Sequence, residues 1–366
     1  MELISKELFN TYYHLLYGIT FLIVLGGALQ LDIKKNKLVV DIFFRTISLF
    51  LLVAFIFLIG FRAYNVGTDT GNYYQFNWLN NRNSKGFEIL FEKILFFIKY
   101  INGSFTSFLL LISFLFFFTI YKGYTIISEV VNTQVLFIFF AFISLFFAKS
   151  LSINVLRQGI SLALLVYAFA IWLKSRSVKK STPFLILSFI SHTTAIIPIS
   201  IFFLIIYKLK KVDIKFFLGL YALGIVLSLA NFGILNIAPF LKDMLGDERR
   251  LGYLTNESES YTVGFKPQFV AFNTVFTVLY YYISKKLLKT SIKEDYDILF
   301  KYYLLTSFLF FMAFQIPFSD RWGLFGWITI PILASPLFSF NNYIKINKTI
   351  GVLFFGSIYL FFAFYG

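Results

Sequence analysis

Residues 43–61 read FFRTISLFLLVAFIFLIGF, an apolar run broken by a single charge, Arg45, near its start. A helix rises 1.5 Å per residue, and about 20 residues cross the ~30 Å of bilayer hydrocarbon, so the run is long enough to span. A barrel strand would be about ten residues long and would alternate polar with apolar positions, which this run does not. Similar runs recur at 11–29, 104–121, 133–148, 154–173, 215–231, 267–284, 298–316, 322–338 and 350–366. The pattern predicts an all-α polytopic membrane protein with about ten full transmembrane helices.

Composition supports this class. The 366 residues are 58% hydrophobic and only 14% charged, with 52 Phe and 23 Tyr. No polar stretch is long enough for a soluble domain, so residues 1–366 read as a single transmembrane domain. The net charge of +15 does not point to nucleic acid, because Lys and Arg collect in cytoplasmic loops of membrane proteins. The chain has no Cys and only His14 and His192, which excludes disulfides, thiol catalysis and His-rich zinc sites. The first apolar run lacks a basic flank and a small-residue cleavage site and reads as a retained span.

Basic loops at 34–37, 174–180, 208–215, 285–293 and 345–348 are expected in the cytoplasm, which places the N-terminus outside. Alternation fails across one further apolar stretch, 183–207, because basic loops flank both of its ends. A hairpin of two half-spans turning near Ser191 to Pro198 repairs it, with His192 at the tip; broken backbone is tolerated at membrane depth where protein or a wet cavity surrounds it. The acid-bearing segments 62–103, 149–152, 231–266 and 317–321 then face outside. Within the first, 87–101 is too short and too charged to span and reads as an interfacial amphipathic helix.

The groups able to do chemistry cluster on that outer side. Asn154, Arg157, Gln158 and Ser161 follow i, i+3, i+4, i+7 spacing, one polar stripe on an apolar helix. An arginine so placed suits a phosphate or carboxylate, or else snorkels to headgroups. Arg321, Arg62, Arg249 and Arg250 are further outer cations: Arg321 is readable as an anion ligand or as a local ion pair with Asp320 at a helix end, and the other three as anion ligands or solvated loop charges. Asp69 and Glu88 are carboxylates near membrane depth, where an apolar neighbourhood raises a pKa and suits a general base; Asp69 equally suits a turn cap. His192 has three readings: a base, a donor to a substrate oxygen, or a satisfied interior group. Tyr73, Tyr74, Trp78 and Trp322 suit sugar stacking or an interfacial aromatic belt. No nucleotide or metal motif stands in a supporting context, and neither cofactor nor metal is expected.

Taken in order, GTDTGNYY at 67–74, GFEILFEKI at 86–94, LRQGISLAL at 156–164, SHTTAIIPI at 191–199 and SDRWGLFGW at 319–327 resemble the EpsG family, Wzy-like polysaccharide polymerases. The resemblance spans about 60–340, and the outer loop 246–266 departs from it. It implies a glycosyltransferase of the bacterial cytoplasmic membrane. That enzyme would join undecaprenyl-pyrophosphate-linked oligosaccharides into O-antigen, capsule or exopolysaccharide at the outer face, with a chain-length regulator as an optional partner. The family's functional positions would fall on Asp69, Glu88, Arg157, His192 and Arg321. Two other readings stand beside it: a ligase adding one unit, told apart by the absence of a product ladder, and a flippase. Against the flippase, no inverted repeat is visible and the candidate groups lie on one side rather than at the midplane.

Overall fold

A computed structural model describes residues 4–34, 37–80, 89–237, 263–287, 290–341 and 343–365. Among them every regular element is helical, apart from a single parallel bridge between Ile4 and Arg62. Two compact units form, Met1–Ile196 with Ala334–Gly366, and Ile197–Leu333.

The first unit begins with α1 (Lys6–Lys34) and α2 (Lys37–Gly60). The chain then turns through the short α3 (Thr68–Asn72), which continues as a π-helical turn over Tyr73–Leu79. Next come α4 (Ile89–Tyr100) and α5 (Phe105–Val131), the latter capped by Ser104, whose side chain accepts from the Ser107 amide at 3.1 Å. α6 (Val135–Ile143) and α7 (Phe146–Ile153) precede α8 (Leu156–Ser175) and α9 (Val178–Ser191). α5 packs against α2 and α8, and α9 against α8. α4 falls within the stretch 87–101, and one of its faces is packed: Phe91 and Ile98 are buried while Phe96, Phe97 and Tyr100 are exposed.

After a 3-10 turn at Thr193–Ala195, α10 (Ile196–Leu204) leads into the second unit, with α11 (Ile214–Leu229), α12 (Ile234–Ile237), α13 (Pro267–Lys286), α14 (Lys293–Met312), α15 (Asp320–Trp327) and α16 (Ile330–Ala334). α14 packs on α11, α13 and α15. Asn273 of α13 fastens these helices: its Oδ1 accepts from Tyr303 Oη at 3.2 Å, Ser307 Oγ at 3.1 Å and Trp327 Nε1 at 3.3 Å. A buried amide with three donors is fully used, so it fixes register as well as contact. α17 (Lys348–Tyr365) belongs to the first unit and packs on α1.

The membrane class is as the sequence predicts, but the apolar runs are not all unbroken helices. Four helices among the described residues, covering 6–33, 42–60, 105–131 and 156–175, are long and apolar enough to span. Shorter apolar helices occupy 193–209, 214–229 and 348–364. The run expected to span at 133–148 is instead the pair α6 and α7, bent by 82°. α6 has nine residues, every one buried, about 14 Å of helix and so half a hydrocarbon layer. At the bend Ser144 Oγ donates to the Phe140 carbonyl at 2.8 Å and lies 2.9 Å from Tyr17 Oη, so the opened backbone finds partners inside the protein. The run at 322–338 breaks as well: Pro331 has no amide to continue the ladder, and Thr329 Oγ1 donates to the Gly326 carbonyl at 2.7 Å. In the stretch 183–207 the break falls at His192, whose extended backbone separates α9 from the 3-10 turn.

Candidate active site

In the first unit the polar island after α2 is fastened to the α7–α8 junction. Arg62 is 1% exposed; its Nη1 donates to the Ile59 carbonyl and its Nη2 to Thr70 Oγ1 at 3.2 Å. Thr70 Oγ1 in turn donates to the Ile153 carbonyl. Gly67 lies in the same seam at φ 89°, where a Cβ would sit 2.5 Å from Asn154 Oδ1 and 2.8 Å from the Ile153 carbonyl oxygen. Only glycine combines that dihedral with that approach. Arg62 therefore holds the island in place instead of presenting its guanidinium outward. Burial pushes that group down to about 9, which leaves it cationic at neutral pH.

The fastened island aims Tyr73 at α8. Arg157 Nε donates to Tyr73 Oη at 3.3 Å, and its guanidinium lies 5.2 Å from the Tyr73 ring and 5.9 Å from that of Phe91. Tyr73 and Phe91 belong to an apolar cluster with Phe105, Phe108, Leu156 and Ile160, so the cation is half-buried among rings, where its field is less screened than in water. Asp69, partly buried, stands one turn before Tyr73. α8 begins at Leu156, so Asn154 lies in the break before the helix and not on its polar stripe; Gln158 is buried on the helix.

His192 reaches the same end of the α8–α9 pair. Ser161 and Ser188 bond reciprocally, each Oγ donating to the other's carbonyl at 2.8 Å. Arg157 precedes Ser161 by one turn and His192 follows Ser188 by one turn, on helices joined by a tight turn. Tyr73 and Arg157 thus meet, with Asp69 one turn before Tyr73 and His192 one turn after Ser188 in the same unit.

The second unit carries its own cationic turn. Phe318 takes φ 58°, and the Arg321 guanidinium lies 5.0 Å from its ring. Lys266, at the start of α13, donates from Nζ to Ser319 Oγ at 2.7 Å. Burial lowers the Lys266 pKa, and the neighbouring Asp320 carboxylate opposes that shift. Sequence spacing gave no sign of Lys266, because 53 residues separate it from Ser319. Glu88, Arg249 and Arg250 lie outside the described residues. Among the described residues, no group of three or more His, Asp or Glu gathers as metal ligands.

A sequence profile of the EpsG family matches residues 41–366, nearly the whole chain. The chain belongs to the EpsG family. EpsG proteins are Wzy-like polymerases, and the apolar helices of this member make it a membrane protein. No curated protein and no solved structure matches it. The family match takes in α2 to α17 and so covers both cationic clusters of this EpsG protein.

Proposed function

We propose that this EpsG protein is a glycosyltransferase that polymerises undecaprenyl-pyrophosphate-linked repeat units at the outer face of the bacterial cytoplasmic membrane. The observation that carries the reading, beyond the family, is the Arg157 guanidinium held over Tyr73 and Phe91 with Asp69 and His192 on the adjoining segments. A hydroxyl of the incoming lipid-linked unit attacks the anomeric carbon of the growing chain. The C–O bond to the lipid pyrophosphate breaks, and the pyrophosphate leaves with the electron pair. Arg157 stabilises the charge on that leaving group, a role that preorganised cations perform well in a low dielectric; Arg321, with Lys266 beside Asp320, and Arg249 and Arg250 are further cations suited to binding the pyrophosphate. A carboxylate, Asp69 or Glu88, takes the hydroxyl proton, and His192 orients the acceptor. Arg62, Asn154 and Gln158 keep these groups in register, and no metal takes part.

Polymerisation of purified lipid-linked repeat by Arg157→Ala and Arg321→Ala variants tests this. Loss of one preorganised donor typically slows such a step about 10²–10³-fold. Full activity in both variants would overturn the mechanism.

A further inference from the structure

The first and last helices flank an open pocket of about 310 Å³, lined by His14, Tyr17 and Gly18 of α1 and by Gly356, Tyr359 and Leu360 of α17, among others. Gly18 helps to make the space: a Cβ built there meets nothing within 4 Å. The flanking residues Leu15, Ile19, Leu22, Phe361 and Phe364 are all exposed. In a spanning helix such residues face lipid, so the cavity opens on the bilayer. At the small share of liquid volume that a water-sized group takes, ~30 Å³, it holds roughly ten methylene-sized groups.

The cavity's polar lining group is the His14–Tyr359 pair, and Lys149 stands near His14. His14 Nδ1 lies 2.7 Å from Tyr359 Oη. Lys149, on α7, donates from Nζ to Asn10 Oδ1 at 2.8 Å and lies 5.2 Å from the Tyr13 ring. Among the described residues no carboxylate pairs with Lys149. Lys149 also precedes Ile153 by one turn, about 6 Å along α7, and Ile153 receives the Thr70 hydroxyl beside the candidate site. The Lys149 ammonium thus lies near His14, a lining residue of the slot, and one short helix connects it to the proposed catalytic segment.

We infer that the α1–α17 cavity holds the head-proximal segment of the hydrocarbon tail of a polyprenyl phosphate, with its phosphate drawn to Lys149. The inference rests on the proposed polymerase reading and names where that substrate's lipid sits. The charge near His14 selects a chain with an anionic head, and the connection through α7 selects the lipid that must reach Arg157.

The test uses the purified full chain in phosphatidylcholine nanodiscs and a long-chain polyprenyl phosphate bearing a diazirine in its tail. Cross-links should map to α1 and α17. Gly18→Leu, whose Cβ enters open space, should lower labelling at least tenfold, and Lys149→Gln several-fold. Gly26→Leu, on the same helix with equally open space, should label as the unchanged protein does. Equal labelling of Gly18→Leu overturns the inference. So does competition by phosphatidylglycerol as effective as by unlabelled polyprenyl phosphate, which would make the occupant an ordinary bilayer lipid. Loss of labelling when protein is concentrated would mean a second copy fills the slot and would overturn it too. Because labelling needs no turnover, a chain that labels but does not polymerise refutes the polymerase reading and leaves the cavity assignment standing.

Discussion

Replacing Thr70 by Val removes one hydroxyl and keeps the shape of the side chain, so it isolates the strut that holds the polar island. Thr70 is fully buried and its Oγ1 serves two partners, accepting from Arg62 Nη2 and donating to the Ile153 carbonyl. Valine leaves both unsatisfied in a dry seam. A buried group stripped of its partner costs about 1–3 kcal/mol, with charged donors toward the upper end. Arg62 Nε already lacks a partner among the described residues, so the cation is poorly placed to recover. The expected loss is roughly 2–4 kcal/mol, confined to the contact between 61–73 and 153–157. Because Tyr73 meets Arg157 across that contact, turnover should fall along with stability, by roughly 5- to 30-fold if half the loss reaches the transition state. Trp fluorescence during thermal unfolding in detergent reads the first effect, and product formation the second. Thr70→Ser, which restores the hydroxyl, should recover most of both. A Thr70→Val protein that melts and turns over like the unchanged chain would refute the strut. So would a double cycle with Arg62→Met in which the two losses simply add.

Gly67→Ala should destabilise by roughly 1–3 kcal/mol from its dihedral alone, and further because its Cβ would press on Asn154 and the Ile153 carbonyl; a denaturation midpoint unchanged from the parent would contradict this. Burial lowers the Lys266 pKa below its ordinary 10.5, so as pH rises the folded chain gives up that proton before the unfolded chain does. Stability then gains with pH in the window below 10.5, while any activity that needs the Lys266 cation declines there. Lys266→Arg, which stays charged, should carry the alkaline limb of the turnover profile to higher pH, and an unmoved limb would exclude Lys266 from the site.

Helix-length apolar runs made the membrane class legible, since only length and the lack of alternation were needed. The short helix α4 was legible from its length and charges, and the interruption at His192 from polar letters between two basic loops. The 82° bend between α6 and α7 was not, because Ser144 sits within FIFFAFISLFF and one small hydroxyl in an apolar run gives no warning that its partner is Tyr17, 127 residues away. The same holds for Arg62: its letter marks an outer-side cation, while its burial depends on Thr70 and on the Ile153 carbonyl from a distant helix. The grouping of Arg157 with Tyr73 needed that fastening, and Lys266 beside Ser319 needed the α13–α15 packing around Asn273. Residue types were readable from sequence, whereas their partners came from long-range closure.

The central claim is polymerisation by the chain itself, and its most direct test is product length. The purified protein is supplied with one lipid-linked repeat unit, a metal chelator and no nucleotide sugar, and the products are resolved by size. A ladder of regularly spaced oligomers, lost when Arg157 is replaced by Ala, is the expected result. A single added unit would identify a ligase, and unchanged starting material from a folded protein would contradict the account.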